Sequence, residues 1–157
     1  MAKFKFQVLT DVSNYITAKV ADAVTDNDVG KSVKLATNTT DTYTICAAGD
    51  QIDGFIVGIE PATADGLKLC TINIGGRKRV QISGAANVGD LVEAAAQAAA
   101  GTAEANGLPI VAAHTIDTLD TTTLAATMFP KNWRIISANT SDGVVADGDT
   151  TVIIELV

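Results

Sequence analysis

The sequence has little of what most catalytic and metal-binding sites need. Its 157 residues include one histidine, His114, and two cysteines, Cys46 and Cys70. Zinc sites and disulfide frameworks need more of these side chains at closer spacing, so we interpret the cysteines as small buried thiols. No nucleophile motif or phosphate-binding loop is present. The sequence therefore predicts no catalytic residue, no cofactor and no metal site, in a protein that is not an enzyme.

Positive charge and long apolar runs are also scarce. Lysine and arginine number 11 against 18 acidic residues, a net charge of -7. Such a charge repels phosphate backbones and anionic lipid, which argues against a nucleic-acid or membrane partner. Polar residues interrupt the start "MAKFKFQVLTDV", and no stretch approaches the roughly 18 apolar residues of a membrane helix. We expect a soluble protein that is synthesised in a cytoplasm.

The apolar residues that are present alternate with polar ones. This period of two appears in "KFKFQV", "KSVKLAT", "TYTICAA" and "TTVIIELV", and it is typical of half-buried strands. Turn residues separate the strands at intervals of about ten residues, which predicts an all-β fold. We expect an antiparallel β-barrel or sandwich with short helical excursions. Residues 1–30 would form an N-terminal arm or strand and a connection, and residues 31–157 a single β-rich domain.

Glycine marks the turns and one unusual strand. The pairs in "AGDQ", "VGDL" and "DGDT" each predict a turn that precedes a strand, because Gly accepts positive φ and Asp bonds nearby backbone. None has the ligand spacing of a calcium loop. In "IDGFIVGIE", Gly54, Ile56 and Gly58 share a flat face that a second layer or chain could approach closely.

Two segments have helical composition. The tract "EAAAQAAAGTAEANG" is too short before its first glycine for a stable isolated helix, so we expect a surface excursion with one or two helical turns. A longer helix is predicted to begin at Asp117 or Asp120, either of which can cap it, and to end before Pro130.

A basic triplet, Arg77, Lys78 and Arg79, follows two glycines in "NIGGRKRVQIS". We interpret this stretch as a hairpin with a three-residue loop over residues 75–77, because that register pairs Ile72 with Val80 on one apolar face. Arg77 would then lie at the tip, Arg79 on the solvent face, and Lys78 at the end of the apolar face.

These basic side chains are candidate partner contacts. A positive patch on an acidic body can steer it onto an acidic partner, although a solvated hairpin tip explains the same pattern. Phe4 and Phe6 are the second candidate, as apolar anchors of an arm that reaches a neighbouring subunit.

The order of elements resembles a known family. The segments "GKSVKLAT", "GDQIDGFIVGIE", "TINIGGRKRVQISGAANVGDLVEAA" and "WRIISANTSDGVVADGDTTVIIELV" are similar to the small β-rich head decoration, or cement, proteins of tailed bacteriophages. The resemblance covers the second quarter through the middle and the last fifth of the chain. It implies a structural virion protein on the outer capsid surface that self-associates, commonly as a homotrimer, and bridges neighbouring major capsid proteins.

A second interpretation is a carbohydrate-binding or adhesion β-module of a phage tail or cell surface. Sugar sites usually present exposed aromatic rings. Only Trp133, Tyr15 and Tyr43 are available as platforms, so we rank this alternative below the capsid protein.

Overall fold

The computed structural model describes residues 14–37, 41–64, 66–114 and 133–157. Within them the chain forms two closed β-barrels of five strands each, which confirms the predicted all-β class. The helical structure in these residues is a single 3-10 turn, η1 (Asp26–Asp28).

The strands of the first barrel are β1 (Tyr15–Val20), β2 (Ser32–Leu35), β3 (Thr42–Ile45), β4 (Gly54–Ile59) and β5 (Leu69–Asn73). Their order is β1-β3-β2-β4-β5, with β5 pairing back onto β1. Neighbouring strands are antiparallel except β1 and β3, which run parallel.

The strands of the second barrel are β6 (Arg77–Ser83), β8 (Leu91–Ala94), β9 (Ile110–Ala113), β10 (Trp133–Ser137) and β12 (Val152–Leu156); a small separate sheet contains β7 (Ala86–Asn87) and β11 (Val144–Val145). The order in the second barrel is β10-β12-β6-β9-β8, and the barrel closes through the pairing of β8 with β10. It also contains one parallel pair, β6 with β9, so neither barrel is wholly antiparallel as predicted.

The predicted hairpin around the glycine pair is wrong. β5 pairs with β1 and β4 in the first barrel, whereas β6 pairs with β12 and β9 in the second. Gly75 and Gly76 therefore connect the barrels and do not turn the chain back on itself. Ile72 and Val80 are both fully buried but belong to different cores. An alternating pattern identifies the buried face of a strand without identifying its partner.

The boundary at residue 30 does not follow the strand pairing. Within the range 1–30, β1 is a strand of the first barrel and pairs with five consecutive residues of β5. Residues 1–13 lie outside the described part of the chain. The remaining range, 31–157, contains strands of both barrels.

The barrels share part of one hydrophobic core. The core of the second barrel includes Cys46, Ile52 and Phe55, which come from or adjoin strands of the first. The Phe55 ring packs edge-to-face against Trp133 of β10, with ring centroids 5.1 Å apart and an interplanar angle of 75°. Such aromatic pairs stabilise a core by more than the apolar area that they bury would contribute alone. A smaller cluster of aliphatic side chains and Cys70 fills the first barrel.

A buried ion pair also joins the two halves. Lys31 Nζ lies 2.7 Å from Asp28 Oδ1, and both side chains are fully buried. Lys31 donates to the carbonyl oxygens of Ala98 and Ala99, and the Gly101 N–H donates to Asp28. Residues 98–101 connect β8 and β9 of the second barrel. The pair therefore gains its remaining hydrogen bonds only when this connection packs on the first barrel.

The glycine predictions are confirmed at the turns. Gly49, Gly89 and Gly148 have φ of 83°, 103° and 79°, and each precedes an aspartate whose carboxylate accepts a nearby backbone N–H. In β4 the expected close approach occurs at Gly54, where an added Cβ would lie 2.6 Å from the Asn73 backbone oxygen. A Cβ added at Gly58 would have no atom of the described residues within 4 Å.

The alanine-rich tract contains turns but no helix over residues 95–109. Carbonyls at residues 98 and 99 accept hydrogen bonds from Lys31, and the Ala98 N–H donates to the Glu104 carboxylate. Contacts with the first barrel and with a local side chain thus replace the bonds a helix would make. The predicted helix over residues 117–129 lies outside the described residues.

Candidate partner-binding surface

The basic residues of the second barrel gather on the two strands that flank β12. Residues 75–114 and 133–157 contain four lysine and arginine residues. Three of them, Arg77, Lys78 and Arg79, begin β6, and the fourth, Arg134, lies on β10. β6 and β10 are the two neighbours of β12. This part of an acidic chain therefore concentrates its positive charge in one region of one sheet.

Arg77 lies on the outer side of the barrel. Its side chain is 51% exposed, and its Nε lies 3.3 Å from Glu155 Oε1 on β12. The two residues are cross-strand partners in the register of β6 and β12, so their side chains project from the same face. An exposed pair of this kind contributes at most about 1 kcal/mol, because water and salt screen it.

Arg79 lies two residues further along β6 and is also exposed. Its Nε donates to the carbonyl oxygen of Thr150 at 2.6 Å, which fixes the direction of the guanidinium. Asp149 is close by. Hydrogen bonds from the Thr151 backbone and hydroxyl lower the pKa of the Asp149 carboxyl, and the charge of Arg79 lowers it further. Asp149 is therefore an anion at the rim of this surface.

Lys78 has a different environment, because alternate residues of a strand face opposite sides. Its Nζ lies 5.8 Å from the centroid of the Phe55 ring, a cation–π distance. Burial lowers the pKa of Lys78. The predicted division of the triplet between an apolar and a solvent face is thus confirmed, whereas the position of Arg77 at a hairpin tip is wrong.

Arg134 belongs to the same surface, although the sequence pattern did not indicate it. Arg134 pairs in register with Glu155, and Glu155 pairs with Arg77. Arg134, Glu155 and Arg77 therefore form a row across three adjacent strands, at roughly 4.8 Å per strand. The sequence signal was an arginine inside the strand-like segment "WRIIS". That segment does not indicate which strands β10 pairs with.

A shallow groove follows the β6 side of this row. Its volume is about 370 Å³, and it is lined by Arg77, Lys78, Arg79, Thr151 and Ile153. Ile153 is the register partner of Arg79 and supplies an apolar contact between the charged side chains. We call Arg77, Arg79, Arg134, Glu155 and Ile153 the basic face.

The other candidate residues lie elsewhere. Cys46 and Cys70 are buried free thiols, as predicted, and burial raises the pKa of Cys46 to about 12 and of Cys70 to about 11. His114 Nδ1 lies 2.5 Å from Glu93 Oε2. Phe4 and Phe6, the predicted anchors of an arm, lie outside the described residues.

No group of three or more histidine, cysteine or acidic side chains in the described residues is arranged to hold a metal ion. In the same part of the chain, no helix is long and apolar enough to cross a bilayer.

The three aromatic residues considered as sugar platforms offer one exposed ring between them. Trp133 is 1% exposed and belongs to the shared core. Tyr43 packs against the core of the first barrel, and burial is the main cause that raises the pKa of its hydroxyl. Tyr15 is 55% exposed. Of the three platforms considered for a sugar, Tyr15 alone is presented to solvent.

Comparison with known proteins finds no match among protein-family models, curated proteins or solved structures.

Proposed function

We propose that this chain is a structural virion protein that binds the outer surface of a capsid and stabilises contacts between major capsid proteins. The observation that carries the proposal is the basic face. A chain with a net charge of -7 places every lysine and arginine of residues 75–114 and 133–157 on two strands of one sheet. Charge separated in this way favours docking in one orientation on an acidic protein surface.

The junction of the barrels supports the same proposal. The edge-to-face contact of Phe55 with Trp133 and the buried pair of Asp28 with Lys31 hold the two barrels together. A protein that reinforces a shell must transmit force between its contacts, and close-packed interiors do so because they compress little.

The carbohydrate alternative is weaker than the sequence alone indicated. Its largest candidate platform, Trp133, is buried, and sugar recognition relies on exposed rings. The capsid proposal includes self-association of the chain as a homotrimer. A closed barrel leaves no free strand edge, so subunits would associate through barrel faces other than the basic face.

The test compares binding of wild-type protein and R77E/R79E to undecorated capsids assembled from the major capsid protein of the same genome. Lys78 is left unchanged, because its ammonium lies over Phe55 and its reversal would disturb the core. We expect R77E/R79E to associate about tenfold more slowly at low salt, with the difference narrowing as salt rises. Surface plasmon resonance on immobilised capsids measures the rates.

Lys19→Glu is the matched control, because Lys19 is an exposed strand lysine of the first barrel. We expect it to associate at the wild-type rate. Size-exclusion chromatography with light scattering checks that the variants keep one oligomeric state, expected to be a trimer. Equal association of R77E/R79E and wild type at every salt concentration would show that the basic face does not dock on capsids.

A further inference from the structure

We propose that the ligand of the basic face is an extended segment of a partner protein that carries two carboxylates at positions i and i+2. The inference rests on the proposed function, because it names the chemistry of the capsid surface that is bound. It can be tested on the isolated protein without a capsid, so the two proposals can fail separately.

The spacing of the two exposed arginines carries the argument. Arg77 and Arg79 lie on one side of β6, two residues apart, so their Cα atoms are roughly 6.8 Å apart. Side chains at i and i+2 of another extended segment repeat at the same interval on one of its faces. Each arginine can therefore meet one carboxylate if the segment runs along β6.

The guanidinium of Arg79 is already oriented for such a ligand, whereas that of Arg77 is held by an exchangeable contact. The Arg79 Nε–H donates to the Thr150 carbonyl oxygen, and the Arg77 Nε–H donates to the Glu155 carboxylate. Each guanidinium has further N–H groups, and within the described residues the two groups make no hydrogen bond besides the two through Nε. Oriented guanidinium groups recognise carboxylates through paired hydrogen bonds with defined geometry. Less conformational entropy is lost when the ligand binds a group that is already held.

Glu155 acts as an internal competitor for the same site. Its carboxylate occupies Arg77 in the free protein, but the contact is exposed and is easily exchanged. Arg134 is the register partner of Glu155 on the opposite side. An incoming carboxylate can therefore take Arg77 while Glu155 turns toward Arg134, and neither charge loses a partner.

Protein carboxylates fit this surface better than nucleic-acid phosphates. Glu155 lies in the middle of the row formed with Arg77 and Arg134 and repels a continuous polyanion at that point. Among the described residues that line the groove, none is aromatic, so these residues offer no ring for base stacking. Ile153 instead offers an apolar contact to a peptide.

The experiment measures fluorescence anisotropy of short labelled peptides titrated with the full chain. The first peptide has a central Glu-Thr-Glu, the second Gln-Thr-Gln, and the third Glu-Glu-Thr, which keeps the charge but changes the spacing. We expect the Glu-Thr-Glu peptide to bind at least about tenfold more tightly than the Gln-Thr-Gln peptide and about threefold more tightly than the Glu-Glu-Thr peptide.

The variants separate recognition from stability. R77Q and R79Q should each weaken binding of the Glu-Thr-Glu peptide about fivefold, whereas K19Q on the first barrel should not change it. E155Q should tighten binding about twofold, because it removes the competing carboxylate. A residue that only supported the fold would not produce this gain.

Three results would overturn the proposal. The first is no difference between the Glu-Thr-Glu and Gln-Thr-Gln peptides. The second is weaker binding by E155Q, which would make Glu155 part of the ligand contact. The third is tighter binding of a single-stranded oligonucleotide that is lost in R77Q and R79Q, which would identify a nucleic-acid surface.

Discussion

The two barrels contain the same number of basic residues in the described chain but use them differently. In residues 14–37, 41–64 and 66–74 there are four lysines, and three of them bind the protein itself. Lys31 is buried on Asp28, Lys34 Nζ lies 2.6 Å from Asp50, and Lys68 donates to backbone carbonyls. In the second barrel, the four basic residues surround β12. Arg77 and Arg79 also contact the protein, through Glu155 and the Thr150 carbonyl, but their side chains remain exposed to solvent.

This difference separates stability from recognition. A lysine that satisfies buried carbonyls and a carboxylate is costly to remove, since its partners lose their compensation. An exposed arginine can be replaced at little cost to the fold. We therefore expect substitutions of the internal contacts to change stability, and substitutions of the basic face to change binding.

The largest expected effect comes from the shared core. Phe55→Ala should lower the free energy of unfolding by roughly 4–5 kcal/mol, because it leaves a cavity beside Trp133 and removes the ring under Lys78. Ile56→Ala is the matched control, since Ile56 is the next residue of β4 but faces the core of the first barrel. Urea denaturation followed by the fluorescence of the single tryptophan measures both.

The Phe55→Ala and Ile56→Ala variants also test whether the two barrels unfold together. In a cooperative protein, Ile56→Ala shifts the Trp133 transition even though its side chain lies in the other core. A Trp133 transition that stays in place in Ile56→Ala would mean that the barrels unfold independently.

The next effect concerns the buried ion pair. Lys31→Ala should cost about 3–4 kcal/mol, because Asp28 is left buried without its cation. D28N/K31M removes both charges and should recover part of the loss. Circular dichroism during urea denaturation measures the three proteins. A loss below about 1 kcal/mol in Lys31→Ala would show that the pair contributes no more than an exposed one.

The same variant has a defined pH dependence. Burial alone would raise the pKa of Asp28, but hydrogen bonds from Lys31 and from the backbone of Thr25 and Gly101 outweigh it and lower the pKa below its usual 3.8. This stabilisation is present above the unfolded-state pKa and is lost as the pH falls through the folded-state pKa. The difference between wild type and Lys31→Ala should therefore shrink below that pH.

The smallest effect distinguishes two glycines of one strand. Gly54→Ala places a methyl group 2.6 Å from Asn73 and Ile72 atoms and should cost about 1–3 kcal/mol. Gly58→Ala meets no atom within 4 Å and should be neutral or stabilise by up to about 1 kcal/mol, since it restricts the unfolded chain. Thermal unfolding measures the difference. Equal melting temperatures would contradict the close approach at Gly54.

Local features of the fold could be predicted from the sequence. Most of the strands and the Gly-Asp turns follow from periodicity and from backbone preference, which act over a few residues, and the burial of both cysteines was also predicted. β1 and β9 were not predicted as strands. The number of barrels did not follow from them. β5 and β6 are neighbours in sequence with matching apolar faces, yet they enter different sheets. Strand partners are chosen by long-range packing that no local pattern encodes.

The candidate site was predicted in part. Three adjacent basic residues in an acidic chain indicated a partner surface, and the alternation along β6 correctly separated Lys78 from its neighbours. Arg134 and Glu155 were not identified as contributors, because only the pairing of β10, β12 and β6 brings them beside Arg77. Whether the surface binds a partner stays a prediction.

The glycine pair between β5 and β6 connects the two barrels, but the chain cannot be divided there without disrupting the core around Phe55. A fragment ending at Gly75 would expose Cys46, Ile52 and Phe55, and the complementary fragment would lose the ring that packs against Trp133. The barrels are therefore not interchangeable parts. Neither can be grafted onto another scaffold, or recombined with a homologous half, unless the residues at the junction are redesigned together.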